Sequence, residues 1–380
     1  MQPPTSFRIS RRAVLGTPLA SVALGAQQES GFTSLFDGKT LDQWSVQDGS
    51  ETAFYVRDGE IVIHSGSGYP AWLRSSRQYE NFDFRCDFHI QGWSDSGIFI
   101  HAPEHGRNTW AGMQIKLFHQ QEKEPTTNAM GSIFPVVAPS KVNVRPGWNS
   151  IRILMDWPTL QVWTNDEMVQ DVNVETTADL CYRLREGYLG LSSLSYPLRF
   201  RNLRVRELPS KQKWQILYNK PEDLGTNWWL SEGEPNFQAL GGILRADGLG
   251  HIATKEKYRD LELQLYIRGT RSHNGGLLFR SEGKGLKGKR YEIQLHDVPD
   301  SHFPTGSLYY YKRSRYPNIE DEKWFLAQLF VKDRNVVVRI DGENVLEYDN
   351  LTDLEPGYVE LQAHRKGYWL EFKDVRIRRI

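Results

Sequence analysis

The sequence predicts an all-β protein built as two tandem jelly-roll β-sandwiches. Three observations lead to this prediction: a turn-rich globular composition, an internal repeat over most of the chain, and apolar residues that alternate with polar ones. Of the 380 residues, 39% are hydrophobic and 25% are charged, and 32 are glycine and 18 proline. Such a composition is typical of a folded protein with many turns and not of a disordered chain.

The charge balance and the cysteine count exclude several classes of function. Lys and Arg together number 47, as do Asp and Glu, so the formal net charge is zero. Proteins that bind nucleic acids generally carry a basic excess, and we therefore expect no nucleic-acid partner. The chain has 2 cysteines, Cys86 and Cys181, too few for a disulfide-stapled scaffold or a four-cysteine zinc site. Whether these two pair with each other stays open.

Residues 1–28 have the features of an export signal. A basic start is followed by the uncharged, mildly apolar run 13–25, which is too short to span a bilayer and ends in small residues that suit a signal peptidase. The segment SRRAVL at 10–15 resembles a twin-arginine signal, with Val14 in place of the usual Phe. A general secretory signal and an amphipathic tail are the alternatives. We expect an exported bacterial protein, periplasmic or extracellular, without a stable membrane span after signal removal.

An internal repeat divides the rest of the chain into two copies. The segment 75–85 (SSRQYENFDFR) matches 254–264 (TKEKYRDLELQ). The segment 96–101 (SGIFIH) matches 275–280 (GGLLFR) at the same spacing of about 180 residues. Further matches follow in the same order to the end of both copies. The chain is therefore expected to contain two tandem copies of one domain.

Each copy has the pattern of short strands. Apolar side chains occupy every second position in 82–88 (FDFRCDF) and again in 261–265 (LELQL), as in half-buried strands. The dipeptide Asp-Gly at 341–342 is a strong hairpin signal. Many such strands joined by Gly, Pro, Asn and Asp turns indicate a two-sheet sandwich. We expect domains at 30–208 and 212–380, each long enough for its own core.

Five segments carry a resemblance to a known family. They are FTSLFDGKTLDQW at 32–44, SGIFIHAP at 96–103, FRNLR at 200–204, YEIQL at 291–295 and TGSLY at 305–309. The chain resembles the 3-keto-disaccharide hydrolase family over both copies. The resemblance implies a concanavalin-A-like jelly roll in each copy and an enzyme that cleaves glycosides already oxidised to a ketone at the third sugar carbon. The implied partner is a saccharide or glycoside substrate.

A 3-keto-glycoside can be cleaved without the paired carboxylates of an ordinary glycosidase. The ketone acidifies the proton on the neighbouring carbon, and removal of that proton gives an enolate that expels the aglycone. Water then adds, for net hydrolysis. This route needs a general base with a near-neutral pKa and a positive group at the enolate oxygen. The sequence requires no cofactor for it, although a bound divalent metal would replace the cation.

The second copy carries a candidate for this chemistry. Alternation along 291–297 places Glu292, Gln294 and His296 on one face of a strand and apolar residues on the other. Because buried polar groups cost free energy unless they are paired, a solvated groove explains this polar trio. We expect Glu292 or His296 to be the base and Arg280 to hold the enolate or a hydroxyl. A cross-strand ion pair between Arg280 and Glu292 is the alternative.

The first copy differs at the matching positions. The matches are His101 for Arg280, Gln114 for Glu292 and Lys116 for Gln294, with His119 close behind. Because glutamine cannot act as a base, the first copy is expected either to bind sugar only or to use its histidines and Lys116 instead. A metal held by His101 and His119 is a further option.

Further substrate contacts are expected near these strands. They are Asp297 and Tyr309 in the second copy, and Trp110, His101, Gln114, Lys116 and His119 in the first. Aromatic rings among them would stack on sugar rings. Two alternatives to an enzyme remain: a non-catalytic, lectin-like carbohydrate-binding protein, and an adhesion or scaffold protein without a sugar pocket.

Overall fold

The computed structural model of the protein describes residues 30–68, 70–119, 124–234 and 236–380. The predicted export signal at 1–28 lies outside the described residues. The structure is 51% strand and 5% helix, and its strands form four antiparallel sheets, two in each half of the chain. The predicted all-β fold of two tandem jelly-roll sandwiches is therefore confirmed. None of the helices in the described part of the chain has the length and apolar character needed to cross a bilayer.

The first sandwich comprises the first strands of the chain. These are β1 (Thr33–Ser34), β2 (Trp44–Gln47), β3 (Phe54–Arg57), β4 (Glu60–Ile63), β5 (Ala71–Tyr79), β6 (Phe82–Ile90), β7 (Ser94–Ala102), β8 (Met113–His119), β9 (Ile133–Phe134), β10 (Gly147–Asp156), β11 (Thr159–Thr164), β12 (Glu167–Asn173), β13 (Gly187–Ser193) and β14 (Arg199–Glu207). A short helix, α1 (Asn108–Ala111), precedes β8, and a 3₁₀ turn spans Glu51–Ala53.

The second sandwich repeats this arrangement. Its strands are β15 (Gln215–Tyr218), β16 (Trp228–Gly233), β17 (Phe237–Leu240), β18 (Ile243–Ala246), β19 (Gly250–Thr254), β20 (Leu261–Gly269), β21 (Asn274–Ser281), β22 (Tyr291–His296), β23 (Phe325–Lys332), β24 (Asn335–Ile340), β25 (Glu343–Tyr348), β26 (Tyr358–Ala363) and β27 (Leu370–Arg379). Helix α2 (Pro221–Asn227) and a 3₁₀ turn at Gly285–Lys287 complete it.

Each sandwich pairs a large back sheet with a smaller front sheet. The back sheets run β12-β11-β10-β6-β14-β4-β3 and β17-β18-β27-β20-β23-β24-β25, with β1 and β15 added at the side. The front sheets run β2-β5-β13-β7-β8-β9 and β16-β19-β26-β21-β22. The inner faces of each pair enclose a separate apolar core. The outer face of each front sheet points away from these cores.

The pattern of alternation decides which side chains enter the cores. On β6, Phe82, Phe84, Cys86 and Phe88 are buried and belong to the first core, while the residues between them face outward. Burial raises the pKa of the Cys86 thiol. Cys86 and Cys181 are both free thiols, and Cys86 is buried in the core between the two sheets, whereas Cys181 is half-buried. The sequence pattern thus predicts the inward face of this strand.

The two sandwiches contact each other through the back sheet of the second. Ala111 and Leu184 of the first sandwich form a small apolar cluster with Tyr266 and Leu326 of the second. The predicted Asp-Gly hairpin joins β24 to β25 and lies at this contact. Gly342 has φ +85°, and a side chain there would collide with the backbone of α1. The sandwiches are therefore joined by both apolar packing and close backbone contact.

Candidate functional site

The outer face of the second front sheet carries a row of polar side chains. Glu292 and Gln294 on β22 pair across to Leu278 and Gly276 on β21, whereas the alternate residues of β22 enter the core. Gly276 leaves space above the sheet, since a Cβ atom there would lie 2.9 Å from Oε1 of Glu292. The absence of a side chain on this glycine therefore makes room for the glutamate.

Gln294 and His296 continue this row toward the end of β22. The amide of Gln294 donates to Oδ1 of Asn274 at 3.0 Å. Nδ1 of His296 lies 3.0 Å from the hydroxyl of Ser301, and burial lowers the pKa of His296. The structure thus places three predicted residues, Glu292, Gln294 and His296, on one strand face with local partners.

Two further predicted residues lie beside the same strand. The backbone N–H of Tyr309 donates to the carbonyl of Glu292 at 2.9 Å, and its ring packs against Phe303. Asp297 accepts a hydrogen bond from the hydroxyl of Tyr316. Both residues are therefore close to β22, although Asp297 is already engaged by a tyrosine.

A buried histidine and two glutamates from the neighbouring strands extend the row. His251 on β19 is fully buried, and its Nδ1 lies 3.5 Å from Oε2 of Glu360 on β26. Its Nε2 lies 4.0 Å from Oε2 of Glu232 on β16. Neither nitrogen of His251 has a hydrogen-bond partner. We call His251, Glu232, Glu292 and Glu360 the polar cluster of the second sandwich.

Glu360 is held by two serine hydroxyls. Ser231 donates to its Oε2 at 2.6 Å, and Ser281 donates to its Oε1. Burial acts to raise the pKa of Glu360, but contacts with His251, Ser231 and Ser281 outweigh it, so the pKa lies below its ordinary value. Glu360 is therefore a fixed anion at the base of the cluster.

Glu292 has the opposite electrostatic character. Burial raises the pKa of its carboxyl, and the charges of Arg290 and His251 oppose this only in part. Nε of Arg290 lies 3.6 Å from Oε2 of Glu292, and this oxygen has no hydrogen-bond partner. The Glu292 side chain keeps 7% of its surface exposed. A carboxyl with a raised pKa and a free oxygen is suited to accept a proton.

The structure does not bring Arg280 to this face. A β-bulge interrupts the pairing of β21 with β26 after Leu278, and Arg280 has a positive φ of 47°. The bulge breaks the alternation, so Ser281 faces Glu360 and Arg280 turns away. The Arg280 side chain is 0% exposed and donates to the carbonyls of Arg259, Asp353 and Asp333 and to Asp260. Arg280 therefore neither reaches the face on which it was expected to hold the enolate nor forms the alternative ion pair with Glu292.

The same bulge displaces His101 in the first sandwich. His101 has a φ of 51° and is buried, with its ring nitrogens 2.7 Å and 2.9 Å from the carbonyls of Glu80 and Leu184. Burial lowers its pKa to about 4. His119 pairs with Ser94 at the beginning of β7, whereas His101 lies near the end of that strand. The two histidines are too far apart to share a metal ion.

Gln114 and Lys116 do lie on the outer face of the first front sheet. Gln114 accepts from the hydroxyl of Thr109 at 2.8 Å, and Lys116 pairs with Asp95 at 2.7 Å. His119 is at the edge of this sheet, against the carbonyl of Gly92. Trp110 lies elsewhere, on α1 at the contact between the sandwiches, and so faces neither front sheet.

Among the described residues of the first sandwich, none forms a counterpart of the polar cluster. The register of the strands shows which positions in the two front sheets are equivalent. Trp72 is equivalent to His251, Gly190 to Glu360, Gln114 to Glu292 and Gln47 to Glu232. Each ionisable residue is thus replaced by a neutral one. Trp72 packs edge-on against Phe99 and belongs to a small apolar cluster. The two front sheets therefore offer different chemistry.

Among the described residues, no group of three or more His, Cys, Asp or Glu side chains is arranged to hold a metal ion. In the polar cluster, the carboxylates of Glu232 and Glu360 flank His251, and serine hydroxyls already occupy both oxygens of Glu360. The residues present are therefore better suited to proton transfer than to metal binding.

Sequence reasoning missed His251, Glu232 and Glu360. A signal for Glu360 exists, because Tyr358, Glu360 and Gln362 alternate with core residues in YVELQA. His251 lies between Gly250 and Ile252 on a short strand with little polar alternation. Its role depends on β19 pairing with β26, which the local pattern does not contain.

Three of the solved structures that resemble this chain each match less than half of it. A proposed glycosyl hydrolase from Parabacteroides distasonis ATCC 8503 has 22% identity and a TM-score of 0.41, and the match covers 47% of this chain and 94% of that one. A carbohydrate-binding module from Bacillus subtilis has 14% identity and a TM-score of 0.29, over 39% and 93% of the two chains. A β-glucanase from Bacillus licheniformis has 7% identity and a TM-score of 0.35, over 46% and 100%.

Curated proteins gave no match. In contrast, the family model of the 3-keto-α-glucoside-1,2-lyase-like domain matches residues 31–206 and again 213–378. The two matches coincide with the two sandwiches and confirm the resemblance drawn from the sequence. The chain therefore belongs to the 3-keto-α-glucoside-1,2-lyase-like family, a carbohydrate-active family whose domain it carries in two tandem copies.

Proposed function

We propose that the protein cleaves 3-keto-glycosides at the front sheet of the second sandwich. The observation that carries this proposal is Glu292, a nearly buried carboxyl with an unpartnered oxygen and a pKa raised by burial. Family membership supports the substrate class. The predicted export would place the reaction outside the cytoplasm and stays part of the proposal.

Glu292 acts as the base in this proposal. Its carboxylate takes the proton from the carbon next to the ketone, and the carbon–hydrogen electron pair forms the enolate. The enolate then expels the aglycone oxygen from the anomeric carbon. A double bond is left between the anomeric carbon and the neighbouring carbon that lost its proton. The departing oxygen receives the proton from Glu292, and later addition of water completes hydrolysis. A positioned base of this kind typically contributes about 10²–10⁴-fold to the rate.

Arg290 replaces Arg280 as the cation in this scheme. Its Nε has no hydrogen-bond acceptor and lies 3.6 Å from Oε2 of Glu292, so its guanidinium brings a positive charge beside the base, where the enolate oxygen would develop. Preorganised cations at such a position stabilise the charge that forms in the transition state. Gln294 and Gln362 offer amides to the sugar hydroxyls on the same face. His251 and Glu360 act as positioning residues beneath them.

Turnover of a keto-sugar tests this proposal directly. Mature protein is incubated with 3-keto-trehalose or a 3-keto-glucoside, and release of 3-keto-glucose or of the unsaturated product is followed. Glu292→Gln keeps the shape of the side chain but removes the base, so we expect the rate to fall by at least ~100-fold. The control is Glu282→Gln, an exposed carboxylate paired with Lys284 on a nearby loop. Absence of turnover by the wild-type protein, with or without divalent metal, would contradict the proposal.

A second candidate function concerns the first sandwich alone. The replacement of all four cluster positions by Trp72, Gly190, Gln114 and Gln47 supports a sugar-binding role without catalysis. Amide side chains are common in sugar recognition because they bond hydroxyls. We expect Gln47→Ala to weaken glycan binding while Glu292→Gln leaves it unchanged, and equilibrium dialysis measures both.

A further inference from the structure

A cavity of about 400 Å³ lies between the two sandwiches, away from both front sheets. Its charged lining consists of Arg107, Arg183 and Asp179 from the first sandwich and Arg315, Arg339 and Glu343 from the second. Four guanidinium groups therefore face two carboxylates. This cationic cavity has no part in the function proposed above.

Two of these arginines are buried without a counter-ion. Arg183 is 2% exposed and Arg339 is 4% exposed. Arg183 donates to backbone carbonyls, among them that of Thr109 at 2.7 Å. Arg339 likewise donates to carbonyls, including that of Trp110 at 3.0 Å, and weakly to a side-chain amide. Within the described ranges, no carboxylate oxygen lies at ion-pair distance from either guanidinium. A buried charge without an opposite charge is costly.

One hydrogen-bond donor of the two buried arginines, Arg183 and Arg339, also lacks an acceptor. Nε of Arg339 is buried and has no acceptor. Burial lowers the pKa of Arg339 to about 9, and repulsion from Arg183 adds to the effect. Burial also lowers the pKa of Arg183 to about 10. An anion in the cavity would accept a hydrogen bond from the unpaired Nε–H of Arg339. Its negative charge would also offset the repulsion between the guanidinium groups of Arg183 and Arg339.

The remaining two arginines lie at the mouth of the cavity and share one partner. Arg107 and Arg315 both pair with Glu343, Arg315 at 3.1 Å. Their side chains are 51% and 67% exposed. One carboxylate thus serves two guanidinium groups, which leaves donors available to a ligand at the entrance.

We propose that this cavity binds an oxyanion, namely a carboxylate, sulfate or phosphate group. Arg183 and Arg339 would meet the anion at the base, and Arg107 and Arg315 would close over it. Guanidinium groups bind such anions through paired, charge-assisted hydrogen bonds. The ring of Trp110 lines the same cavity and would pack against a sugar that bears the anionic group. The anion has two sources, a free inorganic ion or an acidic sugar.

Thermal unfolding with three probes tests the proposal. The full protein is heated in 10 mM sodium phosphate, sodium sulfate or sodium galacturonate, with chloride as the reference at equal ionic strength. A ligand that binds the folded state raises the unfolding midpoint, and we expect a rise of about 2 °C or more. A rise with the inorganic ions alone identifies a free anion, and a rise with galacturonate identifies an acidic sugar.

Two variants decide whether the cavity is responsible. In Arg107→Gln/Arg315→Gln, both exposed guanidinium groups at the mouth are removed, and titration calorimetry should show binding weakened roughly tenfold or more. Arg313→Gln removes an exposed arginine of the same loop that instead donates to the carbonyl of Pro299, and binding should stay unchanged. No midpoint rise with any probe, or an equal rise in the double variant, would overturn the proposal.

Discussion

Glu292 and His251 lie on the outer face of one sheet, with two strands between theirs, yet the sequence predicts only Glu292 as a site residue. Glu292 stands in a strand that alternates clearly, so its face was predictable from the local pattern. His251 becomes part of the site through long-range pairing of β19 with β26. The alternation of apolar and polar residues in one sequence shows which face of a strand a side chain occupies. It does not show which strands lie next to each other in the sheet.

The environment of Glu292 predicts a pH profile. Burial raises its pKa, and Arg290 opposes that rise. Because a base must be deprotonated, activity should fall as the pH drops through the raised pKa. In Arg290→Met the opposing charge is gone, so the acidic limb of the kcat/KM profile should move to higher pH. Loss of the enolate cation would also lower the maximum rate.

The pH at which the acidic limb of the kcat/KM profile lies tests whether Glu292 is the titrating base. The maximum rate does not test this, because loss of the enolate cation also lowers it. Arg313→Met provides the control, because its side chain lies outside the polar cluster and donates to a backbone carbonyl. Its limb should coincide with that of the wild-type enzyme. An acidic limb that stays in place in Arg290→Met would show that the titrating group is another residue.

The bulge in β21 is an element-scale feature with a counterpart in β7. At both places one residue has a positive φ, and its side chain leaves the outer face to bind backbone carbonyls. Strict alternation assigned Arg280 and His101 to the outer face. It failed because a bulge adds one residue to a strand and reverses the faces beyond it, and no Gly marks the position in either copy.

Arg280 is therefore expected to hold the fold together. Its guanidinium binds three carbonyls and Asp260, so Arg280→Met should lower the free energy of unfolding by ~3 kcal/mol or more. Urea denaturation measures this loss. The control, Arg259→Met, removes an arginine that is 50% exposed and pairs with Asp333, and should cost less than ~1 kcal/mol. Equal losses in the two variants would refute the assigned role.

Gly276 belongs to the same strand and limits the space under Glu292. A Cβ atom there would lie 2.9 Å from Oε1 of Glu292 and 3.0 Å from Oε1 of Gln362. We expect Gly276→Ala to push both side chains out of place and to lower turnover at least ~10-fold, because small misplacements of catalytic groups are costly.

The matched control for this substitution is Gly225→Ala in α2, where nothing lies within 4 Å of the added methyl group. Its turnover should equal that of the wild-type protein. Turnover in Gly276→Ala that is just as high would show that the space above this glycine is not used.

On the scale of the whole molecule, the duplicated architecture was predictable and the contact between the copies was not. The repeat defines two sandwiches, since matching segments occur in the same order. Residues such as Tyr266 and Leu326 fall on the outward positions of their strands, and only the docked first sandwich explains their burial. Contacts of this kind depend on how the two sandwiches pack against each other, and the alternation pattern of a sequence does not predict that packing.

This contact predicts cooperative unfolding. Leu184 is buried between the sandwiches, so Leu184→Asp would place a charge in the apolar cluster and separate the halves. Calorimetry should show one transition for the wild-type protein and two for the variant. Leu240→Asp, at a position 47% exposed on β17, should keep the single transition. One transition in both variants would indicate that the halves are coupled by other contacts.

The docking of the first sandwich against the back sheet of the second has a consequence for the size of molecules that can be processed. The polar cluster lies on the opposite sheet of the second sandwich, so the attached half of the protein does not stand over it. A sugar held there would extend its aglycone into solvent. We therefore expect tolerance of bulky leaving groups, with selectivity resting on the oxidised ring itself.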